Sequence, residues 1–168
     1  MANAMLRLSK LTDYAVVVLV RLETSQGVTT SSCLAQDTGI PEPTVAKVLK
    51  ALAVAELVVS QRGARGGYRL ACPLEEIPVA RVIAAIDGPI ALTACVDGAT
   101  GGCEAQGQCP VRGRWDPVND AIRTALTRIT LAAMRPSAAR PDPSSHFTTP
   151  SYPVDPLPAP RHAPAAAE

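Results

Sequence analysis

Three of the chain's five cysteines fall in one stretch, C-V-D-G-A-T-G-G-C-E-A-Q-G-Q-C, from Cys95 to Cys109. Seven residues separate Cys95 from Cys103, and five separate Cys103 from Cys109. Four glycines and short polar side chains fill the gaps, so the stretch cannot build an apolar core. A Gly-rich segment is costly to order, and long segments without regular structure usually serve a function or stay unordered. Three thiolates gathered around a metal would supply the ordering energy that packing does not. Zinc favours four ligands in close C-x₂₋₄-C pairs. No such pair occurs, and both histidines, His146 and His162, are far away in sequence. Widely spaced thiolates suit an iron–sulfur cluster better. With a fourth ligand supplied from elsewhere the cluster would be labile, which suits a sensor more than an electron carrier. Cys33 and Cys72 read as small buried apolar residues.

The rest of the chain must position that site. Its 168 residues are 47% hydrophobic but only 3% aromatic, so the core must be aliphatic. The net charge is +1, which excludes a globally basic nucleic-acid binder and leaves only a local basic surface. No apolar run reaches the length a membrane helix needs; the run Tyr14–Leu22 is short and carries Arg21. The first residues lack the layout of a signal peptide. The expected compartment is the cytoplasm, where thiols stay reduced and a cysteine cluster reads as metal-binding before it reads as a disulfide frame. Catalysis finds little support: no His, paired carboxylates or phosphate-binding loop lie before the tail, so an enzyme is not expected.

Apolar residues at Leu11, Ala15, Val18, Leu19 and Leu22 predict a helix over Lys10–Glu23, with Ser9 as its N-cap. A short helix, Cys33–Thr38, follows, and Gly39-Ile40-Pro41 breaks the chain. Pro43 suits the first turn of another helix. Val45, Val48, Leu49, Leu52 and Ala53 form its apolar face, opposite Thr44, Lys47 and Lys50. Short helix, turn and second helix make a helix-turn-helix. Leu57–Ser60 and Tyr68–Leu70 then read as strands joined by Q-R-G-A-R-G-G, a hairpin wing. Residues 41–70 hold Lys47, Lys50, Arg62, Arg65 and Arg69 against only Glu42 and Glu56. Such concentrated charge is the footprint of a surface that neutralises phosphates. The DNA-contact candidates are Thr44, Lys47 and Lys50 in the major groove, with Arg62 and Arg65 on the wing.

Beyond Pro73, a support helix is predicted after Ile77-Pro78, with Val79, Val82, Ile83 and Ile86 inward and Gly88-Pro89 as its stop. After the cysteine stretch, Asp116-Pro117 resembles an N-cap and first-turn proline. One long helix is then expected to run to Met134. Its stripe Val118, Ile122, Ala125, Ile129 and Ala132 has coiled-coil spacing and would make a dimer interface. Twofold symmetry would match a palindromic duplex. Residues 135–168 hold nine of the sixteen prolines and no glycine, the composition of a disordered tail. The expected fold is mainly α with a small β-hairpin wing: a winged helix-turn-helix plus a long C-terminal dimerisation helix. Its divisions are a DNA-binding part (1–73), a support helix, cysteine loop and dimerisation helix (74–134), and a Pro-rich tail (135–168).

Several stretches carry a family resemblance: L-S-K-L-T-D-Y-A at Leu8–Ala15, R-G-A-R-G-G-Y-R-L at Arg62–Leu70, I-P-V-A-R-V-I-A-A-I-D-G at Ile77–Gly88, the three cysteines, and Trp115–Met134. Together they resemble the IscR/NsrR-type winged-helix regulators of the Rrf2 family, above all the branch that regulates SUF iron–sulfur cluster assembly. The resemblance implies a homodimer in which Cys95, Cys103 and Cys109 of each subunit hold an iron–sulfur cluster whose state tunes DNA affinity, with [2Fe–2S] preferred over [4Fe–4S]. IscR-type members place a His three residues after the last cysteine, where this chain has Arg112, which cannot ligate. The nitric-oxide-sensing branch uses an Asp of the first helix, a position held here by Asp13. Asp13 is therefore the candidate fourth ligand, a hard carboxylate that would be readily displaced. The first cysteine spacing is also longer than the five residues of IscR.

The function these features imply is a dimeric DNA-binding repressor of cluster-assembly genes, acting on double-stranded DNA. Two rivals remain open. One is a nitric oxide or redox sensor of the same fold, permitted by the Asp13/Arg112 pattern. The other is an iron–sulfur carrier or scaffold without DNA binding, against which the Arg/Gly wing argues.

Overall fold

The computed structural model describes residues 8–25, 27–63, 65–96, 99 and 108–136. The expectations for Cys103, for most of the glycine-rich stretch around it, and for the tail from residue 137 lie outside these residues.

Helix α1 spans Lys10–Thr24. Ser9 caps it as expected: its hydroxyl accepts from the Thr12 amide at 3.1 Å, satisfying one of the first-turn donors that a helix leaves orphaned. Ala15, Val18, Leu19 and Leu22 form its buried stripe. Helix α2 runs Ser31–Thr38, two residues longer than expected at its start. The Thr30 hydroxyl takes the cap position and accepts from the Cys33 amide, which draws Ser31 and Ser32 into the first turn. Cys33 is exposed rather than buried, because Leu34 is the residue this short helix turns inward. Cys72 is partly buried against the core, closer to expectation.

Helix α3, Glu42–Val54, buries Val45, Val48, Leu49 and Leu52 completely. It ends by a left-handed reversal. Glu56 sits at φ 57°, and the Leu57 amide reaches back to the Leu52 carbonyl at 2.9 Å. Strands β1 (Val58–Gln61) and β2 (Gly67–Leu70) follow as an antiparallel hairpin with Val58 opposite Leu70 and Gln61 opposite Gly67. Thr29 adds a bridge to the outer side of β2 by exchanging both backbone hydrogen bonds with Tyr68, at 2.9 and 2.8 Å. The close approach explains Gly67: a Cβ there would lie 2.5 Å from the Thr29 carbonyl oxygen.

Helix α4 spans Val79–Asp87, buries Val79, Val82 and Ile83, and stops at Gly88 with φ 89°. Helix α5 spans Asp116–Arg128, with Trp115 rather than Asp116 in the cap position. The single helix expected to reach Met134 is two elements instead. Ile129 turns extended and a 3₁₀ turn covers Leu131–Met134. The cause is backbone accounting. The Ile129 carbonyl accepts from the Val79 amide, an orphan of α4's first turn, and the Leu131 amide donates to the Ile77 carbonyl, both at 2.9 Å. This exchange drives Leu131 into full burial. Of the proposed seam, Val118 and Ile129 remain exposed. One buried aliphatic cluster joins α1, α2, α3 and β1 to α4 and Leu131, so the helix-turn-helix and the elements after the wing share a core.

Candidate nucleic-acid interface and cysteine segment

α2 and α3 meet across a tight turn made possible by Gly39, which is left-handed at φ 69° and donates its amide to the Ala35 carbonyl. Burying Val45, Val48, Leu49 and Leu52 on one side of α3 leaves Lys47 and Lys50 exposed on the other, while Thr44 is half-buried. At the first turn, Ser31 donates to Glu42 at 3.2 Å, tying α2 to the start of α3.

α3 packs directly on β1, which places the hairpin beside it. Arg62 and Arg65 are exposed near the hairpin's tip. Gly63, at φ 110°, and Gly66, whose Cβ would fall 2.6 Å from the Gln61 carbonyl, let the tip close tightly between them. Among the described residues, Lys47, Lys50, Arg62 and Arg65 pair with no carboxylate; the ion pairs present there involve Arg21, Arg123 and Arg135. Four unpaired cations on α3 and the adjoining hairpin are free to meet phosphates.

The cysteine segment leaves α4 at Gly88 and re-enters regular structure at α5. At its first root, the Leu92 amide donates to Asn119 Oδ1 at 3.1 Å. Asn119 is the buried residue of α5, and its side chain fixes the segment just ahead of Cys95. Nothing local distinguishes this Asn in the sequence, because α5 carries many polar residues and only this one turns inward. Cys95 and Cys109 are free, half-buried thiols. Cys95 Sγ lies 3.2 Å from Thr93 Oγ1. Arg112 is exposed and its amide donates to the Cys109 carbonyl at 3.3 Å.

Asp13 is exposed on the first turn of α1. Among the described residues no three His, Cys, Asp or Glu side chains converge on a possible metal position, so Asp13, Cys95 and Cys109 are not gathered into one site there. Next to Asp13, Thr12 is buried and donates to Asp87 Oδ2 at 2.7 Å. Burial raises the Asp87 pKa, but hydrogen bonds from Ser9 and Thr12 outweigh it and hold the carboxyl below its usual range. Sequence reasoning missed this contact, although an acid in the last turn of a helix was a usable signal, being disfavoured by its own helix dipole.

Comparison with known proteins agrees with this arrangement. Residues 8–136 match the Rrf2 model, described as an iron-dependent transcriptional regulator. An HTH-type transcriptional regulator of Mycobacterium tuberculosis is 35% identical over 136 residues, covering 76% of this chain and 80% of that one. The HTH-type regulator IscR of Vibrio campbellii is 30% identical over 123 residues, covering 72% of each chain. Among solved structures, CymR, the global cysteine regulator of Bacillus subtilis, superposes with a TM-score of 0.60 at 27% identity, over 77% of this chain and 96% of that one. These relatives are transcription regulators rather than enzymes, and no helix among the described residues is long and apolar enough to cross a membrane. With its helix-turn-helix, its wing and a family match across the whole described fold, this chain belongs to the Rrf2 family of DNA-binding transcriptional regulators.

Proposed function

We propose that the protein is a homodimeric, cytoplasmic repressor whose affinity for a palindromic duplex is set by an iron–sulfur cluster, and that its targets include SUF cluster-assembly genes. In this reading residues 1–73 read DNA and residues 74–134 sense and dimerise. Lys47 and Lys50 neutralise phosphates along the major groove, Thr44 reaches base edges, and Arg62 and Arg65 hold the flanking backbone or minor groove. Exposed Val118 and Ile129, with half-buried Ile122 between them, supply the apolar stripe for the second subunit.

The observation that carries the proposal is the placement of the cysteine segment. Its described ends follow α4 and precede α5, so in the chain it lies between the DNA-reading half and the proposed dimer face. Cys95 and Cys109 are both free and half-buried, a donor pair of the soft kind that iron–sulfur clusters take. Cys103 would complete the triad, and Asp13 is the proposed fourth ligand. The cluster would supply a redox-sensitive cross-link; the chain's own part is to hold its thiolates in the segment that joins α4 to α5, so that their ligation bears on the spacing of the recognition helices. A carboxylate ligand is weak, and its easy displacement makes the site responsive.

Duplex binding by anaerobically purified protein, before and after iron removal with a chelator, tests the reading. Affinity should change at least tenfold on removal, and Cys95→Ser should reproduce the iron-free value. Equal affinity in both forms would defeat it. Arg112 in the place of a ligating His, with Asp13 exposed on α1, supports the second reading of a nitric oxide sensor. In that case nitric oxide releases DNA while iron starvation does not.

A further inference from the structure

α4 is held at both ends by charged side chains that reach other helices. Near its start, Arg81 Nη2 donates to the Ala55 carbonyl at 3.0 Å. Ala55 is the C-cap of α3. The last carbonyls of a helix lack partners within it, and a cation beside them also suits the negative end of the helix dipole. Arg81 thus finishes the recognition helix in place of a residue of α3 itself. Beyond it, Glu56 occupies the left-handed region, so the chain reverses directly after the carbonyl that Arg81 holds.

At the other end, Asp87 accepts from the Thr12 hydroxyl at 2.7 Å and from the Ser9 amide at 3.4 Å. A carboxylate in the last turn is badly placed for α4, but it is well placed for the N-terminus of α1. Its position therefore serves the junction between the helices rather than α4. Between the two ends, Val82 and Ile83 are buried in the common core. A well-packed helix of this length moves as a body rather than bending. Immediately after Asp87, Gly88 opens the segment that carries Cys95.

We infer that Arg81 is a positioning residue for DNA binding, and that α4 is the strut through which the Gly88 end of the cysteine segment sets the tilt of α3. Arg81 holds the C-terminal end of α3 without touching DNA, while Asp87 anchors the strut to α1. The inference rests on α3 being the DNA-reading helix; it does not depend on which ligands or which cluster occupy the cysteine segment.

The test uses full-length protein and a duplex selected by the wild-type protein from a randomised pool. Dissociation constants are measured across a salt series for wild type, Arg81→Ala, Arg81→Lys and Lys47→Ala, with thermal unfolding alongside. Arg81→Ala should bind about three- to tenfold more weakly, the equivalent of one net hydrogen bond. Its salt slope should be unchanged, because no phosphate contact is lost, and Arg81→Lys should recover most of the affinity. Lys47→Ala should instead lower the slope by about one. The inference is overturned if Arg81→Ala binds as wild type does, if its slope falls by about one, or if its loss of affinity only tracks a loss of folded protein. A Lys47→Ala variant with unchanged affinity and slope would show instead that the assignment of α3 as the DNA-reading helix is at fault.

Discussion

Arg135 Nε donates to Glu23 Oε2 at 2.7 Å, joining the end of the described chain to the last turn of α1 across 112 positions of sequence. The same guanidinium also binds Glu75 at 2.6 Å. One cation therefore pins three separate segments, and the hydrogen bonds from Arg135 hold both carboxyls below the ordinary value of 4.5. A carboxyl lowered in the folded state stabilises above its unfolded pKa and loses that contribution as the pH falls through the folded value. Arg135→Gln should therefore unfold more readily than wild type at pH 7, and the two should converge towards pH 3. Because these groups are largely solvated, the effect is modest and should shrink with added salt. Denaturant unfolding across that pH range is the check, and parallel curves with a constant offset would contradict it.

The end of α3 offers a stability test with the opposite sign. Glu56, at φ 57°, is the non-glycine residue in the left-handed region among those described. A side chain with a Cβ is strained there, whereas glycine is not. Glu56→Gly should raise stability by about 0.5–1 kcal/mol, and Glu56→Val should lower it by at least as much. Urea midpoints for the three proteins decide the matter; a destabilised Glu56→Gly would mean that the carboxylate contributes more than the strain costs.

The break after α5 can be tested by two neighbouring truncations. Leu131 is fully buried while Ile129 is 42% exposed. Leu131→Ala should cost about 2–5 kcal/mol, and Ile129→Ala less than about 1 kcal/mol in the subunit fold. An uninterrupted helix to Met134 would present Ile129 and Ala132 on one stripe and rank the two substitutions differently.

On the DNA-reading face, each of Lys47→Ala and Arg65→Ala should lower the slope of log affinity against log salt by about one, because each removes one phosphate contact. Thr44→Ala should leave the slope alone and relax sequence preference. Filter binding or fluorescence anisotropy at several salt concentrations separates the two behaviours.

Much of this was legible in the chain because local rules and packing agree there. Ser9 before an apolar repeat, Gly39 after α2 and Arg-Gly-Ala-Arg-Gly-Gly between strands each have one economical structural solution, and α1 to α4 and the hairpin formed within two residues of their expected limits. The errors came where tertiary contacts decided. The pattern from Val118 to Ala132 is periodic enough for one helix, but the orphan Val79 amide captures the Ile129 carbonyl and bends the chain back. Cys33 looked apolar by type, yet Leu34 wins the inward position on so short a helix. Asn119 and Asp87, which both act near the Gly88 end of the cysteine segment, are single polar residues whose partners lie 27 and 75 positions away. No local pattern encodes such pairings.

The proposed sensing role depends on the cysteine segment holding an iron–sulfur cluster. Iron and acid-labile sulfide per subunit, measured on anaerobically purified protein together with its visible absorption, test it most directly. Wild-type protein should be coloured and hold equimolar iron and sulfide, about two of each for a [2Fe–2S] cluster. Cys95→Ser and Cys109→Ser should lose both, while Asp13→Ala should keep the thiolate-to-iron bands in altered form. Colourless wild-type protein free of iron and sulfide under the same conditions would contradict it.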